Sequence, residues 1–576
     1  MTPGSLCSRR SFFLLVWLLF IVKSITYIAL TPIWEGFDEL FHFAYIHSLV
    51  STRSLPVWGR TFIDSEIAQS TAYTPLAGLM PQLAPGFEKL SYRDYWRLEK
   101  PRREMFHIEL RRLQASSNRF SPSSVQLYQV QHPPLYYALC APLYCALDGR
   151  SIVEKVYATR FFSAFLASLC IVAAALISGS GSQAAPTRGS CLQRSVPPSV
   201  GRDLRTYSSF AAYLGGIVAL WPCLYIDIAR VGNDCLGVAV YSFIFLFMVR
   251  FGARTAMRDA VALGVLLGFG LLTKAYFLPA IPALMLFAAF LAIRKKDRWR
   301  QILLEICLAL SCGAVIGGWW YLRNYRLYGS FAGLQETMYF PSVGVTERIQ
   351  AAMIVPWGLI AKNLFVTFSW VSGWSFLHLP KPAYVVFAAA FAVAVFGLLR
   401  GLSSRSQQPA FGETGFGLIP AVCLIGFFVL GVAYHAVNTY ATVRFIGGPG
   451  GWYFYALVVP ISYAVALGIR QASVRVARFY FAALYLGIMA VEAHGFLMVL
   501  GPYYMGLALP SPDGWGTIYP ESRTLASMAE VFNRLTSGEL IPVSAGLLVL
   551  LAASYFVLHI TVLLKVLAAK DMLSGS

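Results

Sequence analysis

The chain has 576 residues, of which 57% are hydrophobic and 13% are charged, whereas a soluble domain carries about 25% charged residues. Such a chain has too few charged side chains to cover a soluble core, so this composition excludes a soluble protein. The formal net charge of +19 does not indicate a nucleic-acid partner, because Arg and Lys gather in short loops between apolar runs. That distribution is typical of the cytoplasmic loops of membrane proteins.

Apolar runs close to the length that crosses a bilayer, about 18 to 20 residues, recur along the chain. The predicted spans are residues 11–31, 155–179, 207–228, 235–251, 259–274, 276–293, 301–320, 382–399, 416–434, 453–470, 479–499 and 542–565. Pro133 to Leu147 is shorter and is broken by Pro142, so it is predicted to be an interfacial or re-entrant helix. The predicted fold class is an all-α polytopic membrane protein with about 12 transmembrane helices.

Both chain ends are predicted to be cytoplasmic, since this orientation places the basic loops inside. Those loops lie around 188–205, 250–258, 294–300, 400–405 and 470–478.

A large first external segment, residues 32–154, follows from that orientation. Within it, Glu39 to Val50 and Phe87 to Leu113 are predicted to be surface helices. Further external segments are predicted at about Tyr321 to Pro380 and Gly501 to Ile541.

An acidic cluster, Glu35, Asp38 and Glu39, follows the first span. If the segment is helical from Glu35, these residues and His42 are spaced i, i+3, i+4 and i+7 and form one stripe. Carboxylates that lie so close together raise one another's pKa, which makes one of them a candidate general base. The alternatives are capping of a helix by Asp38 and Glu39, and a metal site, for which the spacing alone is weak support.

Other polar side chains lie at membrane edges on the same predicted external face. They are His132, Arg230, Asp234, Lys274, Arg323, Arg444 and Tyr453. Arg and Lys side chains suit the binding of a phosphate, and a nearby carboxylate suits removal of a proton from a hydroxyl. The alternative for each Arg is a side chain that extends from a helix end to the membrane interface.

Several motifs resemble those of the lipid-dependent glycosyltransferases of the C-type fold (GT-C). This group includes protein O-mannosyltransferases and the lipid A aminoarabinose transferase. The motifs are Asp38-Glu39 with His42, then His132-Pro133-Pro134-Leu135-Tyr136-Tyr137, then Asn233-Asp234, and finally Trp320-Tyr321-Leu322-Arg323-Asn324 with Tyr328-Gly329. Phe37 stands where relatives often have Pro, and Trp452 stands where they have the Arg of a Gly-Arg-Tyr element.

The resemblance implies a sugar donor on a polyprenyl phosphate and a hydroxyl acceptor in a lipid, glycan or protein. Asp38 is then the base, with Glu39 as its catalytic partner, and transfer inverts the anomeric centre. The remaining site residues are implied to bind substrate: His42, His132, Asp234, Arg230, Lys274, Arg323, Arg444 and Tyr453. No metal or other cofactor is expected, although a divalent metal is a conceivable alternative.

The resemblance covers about residues 10 to 465, and residues 1–499 are predicted to form a transmembrane catalytic module. Residues 500–576 are predicted to add an external loop and a final span. The expected location is the bacterial plasma membrane, with the site on the extracytoplasmic side, the bilayer as a partner and no nucleic acid. The alternatives are a transporter or flippase for a lipid-linked or anionic solute, and a non-catalytic membrane relative. The missing Arg at Trp452 keeps the last of these alternatives open.

Overall fold

The computed structural model describes residues 9–180, 209–332, 343–403, 417–444, 449–472, 477–520 and 524–569. The chain is mainly helical there, with almost no sheet. In the first half the α-helices are Arg9–Leu30, Glu39–Thr52, Ser65–Ser70, Tyr92–Arg97, Lys100–Arg112, Leu135–Ala146, Ile152–Ser180, Ser209–Val218, Pro222–Ile228, Asp234–Arg254, Met257–Leu271 and Ala280–Arg294. In the second half they are Trp299–Tyr328, Val345–Ile354, Trp357–Ser369, Ala383–Ser403, Leu418–Val443, Val458–Ala472, Ala477–His494, Gly501–Tyr504, Leu525–Thr536 and Ala545–Ala568.

Short elements complete the described fold. The 3₁₀ helices are Tyr128–Gln131, Ala275–Phe277, Lys296–Arg298 and Gly451–Leu457, and Gly495–Leu500 is a π-helical turn. Two antiparallel strand pairs are present, Phe62–Asp64 with Pro122–Gln126 and Leu509–Pro510 with Thr517–Ile518.

Within the described ranges, 10 helices are long and apolar enough to cross a membrane, or 12 if each of two bent helix pairs counts as one span. The ten are Arg9–Leu30, Ile152–Ser178, Asp234–Arg254, Ala275–Arg294, Lys296–Tyr328, Ala383–Gly401, Leu418–Val443, Gly451–Ala472, Ala477–Tyr504 and Ala545–Ala568. The predicted fold class is therefore confirmed, and the chain is an integral multi-pass membrane protein. Its sidedness stays a prediction.

Two segments differ from the prediction in whether they form candidate membrane spans. The predicted span 259–274 is the helix Met257–Leu271, whose 15 residues are fewer than the roughly 20 that cross a bilayer. Conversely, Val345–Ile354 and Trp357–Ser369 form an apolar pair bent by 78° inside a segment predicted to be external. Pro356 lies at the bend, where its missing N–H and its ring interrupt a helix.

The prediction for Glu39 to Val50 is right about the helix and wrong about its surface position. Ten consecutive residues from Glu39 to Ser48 are buried, because Leu135–Ala146 and the strand Phe62–Asp64 pack against this helix. Leu135–Ala146 is a 12-residue apolar helix, too short to span, in agreement with the prediction for that segment.

The predicted helix from Phe87 to Leu113 is divided into Tyr92–Arg97 and Lys100–Arg112. Tyr92, Tyr95 and Trp96 of the first helix are buried, whereas only Phe106 and Leu110 of the second are. The position of these helices at the membrane surface stays a prediction. Of the predicted basic loops, 188–205 lies outside the described residues, as do parts of 400–405 and 470–478.

One membrane helix is broken, and a buried lysine occupies the break. Ser209–Val218 and Pro222–Ile228 meet at 49°, which leaves backbone carbonyl groups without helical partners. The ammonium of Lys23 donates to the carbonyls of Ala219 at 3.0 Å and Leu220 at 3.4 Å. Lys23 therefore supplies the hydrogen bonds that apolar surroundings require of a broken helix.

The charge of Lys23 is balanced by Glu492, whose carboxylate lies 3.0 Å away. The hydroxyls of Tyr27 and Tyr555 donate to the same carboxylate at 2.9 Å and 2.6 Å. This cluster joins the first helix, the broken helix and the last two long helices.

Residues after 499 contact the rest of the chain at further points. Arg103 pairs with Glu539 at 2.6 Å, and the indole N–H of Trp96 donates to the carbonyl of Tyr504 at 2.9 Å. The division into 1–499 and 500–576 stays a prediction.

We expect Glu492→Gln to lower the free energy of unfolding by roughly 3 to 5 kcal/mol, because it leaves the buried Lys23 ammonium without a counter-charge. Thermal unfolding in detergent measures this loss, and Lys23→Met combined with Glu492→Gln should recover part of it. The control is Glu104→Gln, which removes an exposed ion pair with Lys100 and should change stability by less than about 1 kcal/mol. Equal losses in both single variants would contradict the expectation.

Candidate active site

The turn between the first two helices does not have the predicted helical geometry. The second helix begins at Glu39, so Glu35 precedes it and the expected single stripe of carboxylates is wrong. Trp34 and Asp38 both have left-handed backbone conformations, with φ of 67° and 55°. The chain therefore turns sharply on each side of Glu35, and the three carboxylates face different surroundings.

Glu39 is fully buried and forms a two-pronged ion pair with Arg160, at 2.7 Å and 2.6 Å. Its oxygens also accept hydrogen bonds from the backbone N–H groups of Trp34 at 3.1 Å and Val231 at 3.0 Å. These bonds occupy both oxygens, so the geometry assigns Glu39 to holding the turn in place.

Glu35 is buried between three other segments. It accepts hydrogen bonds from the hydroxyl of Tyr92 at 2.8 Å and the N–H of Ser375 at 2.9 Å. Burial raises its pKa from 4.5 to about 7, although both hydrogen bonds act to lower it.

Asp38 has one carboxylate oxygen bonded to the hydroxyl of Tyr128, and the side chain is partly exposed. Asp38 precedes the helix Glu39–Thr52, and its backbone carbonyl accepts from the N–H groups of Phe41 and His42 at 3.0 Å and 2.9 Å. The Asp38 side chain makes no capping hydrogen bond to the residues described. Burial raises the pKa of Asp38, and Tyr128 and the charges of Arg230 and Lys274 oppose that rise. A raised pKa makes a carboxylate a stronger base.

Asp38 lines a cavity of about 510 Å³ that is polar at one end and apolar along its walls. The polar end is formed by Asp38, Gln129, Gln131, His132, Lys274 and Tyr453. The apolar walls come from the start of Ala280–Arg294 and from the middle of Leu418–Val443, which are both candidate spans. Their lining residues include Leu278, Pro279, Pro282, Phe427, Phe428, Leu430 and Val432.

A buried row of alternating charges leads to this cavity. Arg230 bonds to Asp227 at 2.7 Å and to Asp234 at 2.6 Å, and Lys274 bonds to both oxygens of Asp234 at 2.7 Å and 2.9 Å. Lys274 is the member that lines the cavity, where it lies 4.9 Å from the ring centre of Tyr453. Arg230 also donates to the carbonyl of Phe37 at 2.6 Å, which ties the row to the turn that carries Asp38.

The two predicted histidines stack on each other, with ring centres 5.6 Å apart. His42 is buried and its Nδ1 lies 2.7 Å from the hydroxyl of Tyr137, while His132 lines the cavity. Burial and the charge of Lys274 lower the pKa of His132 to about 3, and burial beside His132 lowers that of His42 as well. Both rings are therefore neutral near pH 7.

None of the three predicted substrate-binding arginines is among the residues that line the cavity, and Arg230 belongs to the buried row of charges. Arg323 donates to the carbonyl of Pro56 at 2.8 Å and lies over the ring of Trp320 at 4.6 Å. Arg444 is exposed at the end of Leu418–Val443, 5.3 Å from the ring centre of Tyr440. Their predicted contacts with substrate stay predictions.

Trp452 stacks on Phe37, with ring centres 4.1 Å apart and an interplanar angle of 12°. Phe376 and Trp374 also contact the Phe37 ring. An aromatic cluster therefore holds the residue before Asp38.

Sequence reasoning missed Arg160, Asp227, Tyr128, Gln129 and Gln131. A signal existed for Arg160, because a charged residue inside the predicted span 155–179 is costly unless it is paired. No spacing pattern in the sequence distinguishes Asp227, Tyr128, Gln129 and Gln131 from polar residues without a role in the site.

Among the described residues, no group of three or more His, Cys, Asp or Glu side chains is placed to hold a metal ion. The expectation that the site needs no metal stays a prediction.

No protein family and no curated protein matches the chain. Among solved structures, the chain is similar to ArnT from Cupriavidus metallidurans bound to undecaprenyl phosphate, with 14% identity over 96% of this chain and 76% of that chain and a TM-score of 0.43. It is also similar to the apo state of that protein, with 14% identity over 76% of this chain and 64% of that chain and a TM-score of 0.35. ArnT is the lipid A aminoarabinose transferase.

The raised pKa of Glu35 predicts a pH-dependent stability. Because the folded protein favours protonated Glu35, this residue contributes its whole share to the free energy of unfolding below about pH 4.5. That stabilisation is lost as the pH rises through about 7. We expect the melting temperature to fall over this window, by an amount equivalent to roughly 3 kcal/mol at most, and Glu35→Gln to flatten the fall. The exposed Glu88→Gln is the control and should keep the wild-type slope. A Glu35→Gln profile parallel to that of the wild type would contradict the prediction.

Proposed function

We propose that this chain is a membrane glycosyltransferase that moves a sugar from a polyprenyl-phosphate donor to a hydroxyl acceptor. The observation that carries the proposal is the cavity, because it places a partly exposed carboxylate and an ammonium at the end of an apolar groove between two candidate spans. A ligand that fits such a site has a long apolar part and an anionic, polar head.

The apolar walls suit a polyprenyl chain. The side chains of Leu430 and Tyr434 are 62% and 53% exposed, so the groove is open on a side where a membrane helix faces lipid. At Gly431 the helix Leu418–Val443 approaches Pro279 so closely that an added Cβ atom would lie 2.6 Å from the proline ring. A glycine at this point therefore allows the two walls to come together.

Lys274 suits the donor phosphate. Its ammonium has three N–H groups, and the carboxylate of Asp234 orients it at the cavity wall. A bound phosphate also places negative charge near Asp38, which raises the pKa of Asp38 further and strengthens it as a base.

The reaction that this arrangement supports is a single inverting displacement. Asp38 takes the proton of the acceptor hydroxyl, and the acceptor oxygen forms a bond to the anomeric carbon. The bond from that carbon to the phosphate oxygen breaks, and the electron pair leaves with polyprenyl phosphate. Lys274 stabilises the charge that develops on this leaving group, a contribution of about 3 to 4 kcal/mol for a donor in an oxyanion site.

Glu39 and His42 have supporting roles in this proposal. Glu39 fixes the turn before the second helix, and neutral His42 orients Tyr137 and His132 beside the base. The proposed location is the bacterial plasma membrane with the cavity on the extracytoplasmic side, and the acceptor is a lipid, glycan or protein hydroxyl.

We expect Asp38→Asn to abolish sugar transfer, by at least about 100-fold, because an amide cannot accept the proton of the acceptor. The assay follows incorporation of a radiolabelled sugar from its polyprenyl phosphate into membrane lipids, glycans and proteins. Size-exclusion behaviour and melting temperature should match the wild type, and Glu88→Gln serves as an active control.

Near-normal transfer by Asp38→Asn would remove Asp38 from the role of base. If the wild-type protein in vesicles translocates the lipid and transfers no sugar, the protein is a flippase and the proposed function is wrong. Binding of the lipid without turnover or translocation indicates a non-catalytic relative.

Lys274→Met is expected to weaken the binding of polyprenyl phosphate by about 10-fold or more, because a charge-assisted hydrogen bond to phosphate is lost. Binding is measured with the protein in nanodiscs, and the melting temperature shows whether loss of the Asp234 pair disturbs folding. Lys274→Arg keeps the charge and should retain more affinity. Equal affinities of the Met variant and the wild type would place the phosphate elsewhere.

A further inference from the structure

The polar end of the cavity holds two carboxamides that the sequence analysis did not single out. Gln129 and Gln131 line the cavity, and their residues are only 2% and 7% exposed. The side-chain Oε1 atoms of both are buried and have no hydrogen-bond partner among the residues that the structure describes. A buried acceptor without a partner costs about 1 to 3 kcal/mol, so each of these two oxygens requires a hydrogen-bond donor from water or from a ligand in the cavity.

The backbone that carries these two glutamines is held next to Asp38. Both lie on the 3₁₀ turn Tyr128–Gln131, the same turn whose Tyr128 bonds to Asp38. The main-chain carbonyl of Gln131 accepts from the indole N–H of Trp320 at 3.1 Å and from the amide of Asn324 at 3.4 Å. An anchored backbone reduces the entropy lost when a ligand binds to side chains on this turn.

The polar end of the cavity carries both neutral and charged side chains. Gln129, Gln131 and His132 are neutral, since burial and Lys274 lower the pKa of that histidine to about 3. The cation, Lys274, lies with Tyr453 and the row of buried charges. An anionic phosphate is attracted to Lys274, whereas carboxamide oxygens accept from uncharged hydroxyl groups.

We propose that Gln129 and Gln131 form a hydroxyl-binding subsite, in which their amide oxygens accept hydrogen bonds from the ring hydroxyls of a sugar held next to Asp38. The inference rests on the proposed transferase function and adds the residues that select the sugar. The ring belongs either to the donor or to a glycan acceptor, and both present the same hydroxyl chemistry.

The test uses Gln129→Met and Gln131→Met, which keep side-chain length and remove the hydrogen-bonding atoms. The probes are bare polyprenyl phosphate and polyprenyl phosphates carrying glucose, mannose or arabinose, each bound to full-length protein in nanodiscs. Gln69→Met, at an exposed position outside the cavity, is the matched control. Gln131→Asn replaces Gln131→Met if the latter lowers the melting temperature.

For a donor sugar, we expect each Met variant to bind the preferred sugar-bearing lipid about 10-fold more weakly and bare polyprenyl phosphate with unchanged affinity. For an acceptor sugar, both affinities stay unchanged, and the rate of label transfer into membrane glycans falls about 10-fold instead. The Gln69→Met control should match the wild type in every assay.

Three results would overturn the inference. The first is wild-type affinity and wild-type transfer in both Met variants, which indicates that ordered water satisfies the two amides. The second is an equal loss of affinity for the bare and the sugar-bearing lipids, which makes the glutamines part of the phosphate site. The third is a wild-type protein that binds neither lipid, in which case the proposed function fails together with the subsite.

Discussion

The site depends on one buried ion pair, between Arg160 and Glu39. Arg160 also donates to the carbonyls of Thr31 at 2.6 Å and Pro32 at 2.8 Å, so its guanidinium closes the turn that leaves the first helix. The backbone N–H of Val231 joins the same carboxylate and brings the turn with Arg230 alongside. Burying two charges is costly, and the additional hydrogen bonds offset that cost only when all partners are present. The position of Asp38 follows from this pair, because Asp38 is the residue directly before Glu39.

Around that fixed point, each segment contributes one kind of chemistry. The turn before the second helix supplies Asp38, the 3₁₀ turn Tyr128–Gln131 supplies neutral hydrogen-bonding groups, and Lys274 supplies positive charge. Two candidate spans supply the apolar walls. Under the proposed function, different elements bind the polar head and the apolar tail of the donor. That division would allow the residues that bind the head to differ without disturbing the groove for the tail.

The membrane class and most helices could be predicted, because crossing a bilayer demands long apolar runs that are visible in the chain. The shortness of Met257–Leu271 could not be predicted, since tertiary packing decides where an apolar stretch stops. The break at Pro356 did have a signal, because proline interrupts a helix, but the apolar pair around it was assigned to an external segment. Four residues of the predicted set, Asp38, His132, Lys274 and Tyr453, line one cavity. The others are not among its lining residues: Glu39, His42, Arg230, Asp234, Arg323 and Arg444. The stripe of carboxylates failed because left-handed residues at Trp34 and Asp38 prevent a helix from starting at Glu35. Nothing in the spacing of acidic residues shows such a backbone conformation.

The stacking of Phe37 on Trp452 joins two positions at which the sequence departs from the motif pattern described above, because their rings are in direct contact. Replacing Trp452 by arginine would place a guanidinium against the rings of Phe37 and Phe376, where a cation can stack on an aromatic face. Replacing Phe37 would leave the indole without its stacked partner. The energetic effects of the two substitutions are therefore expected to be non-additive, since residues in contact share an interaction energy.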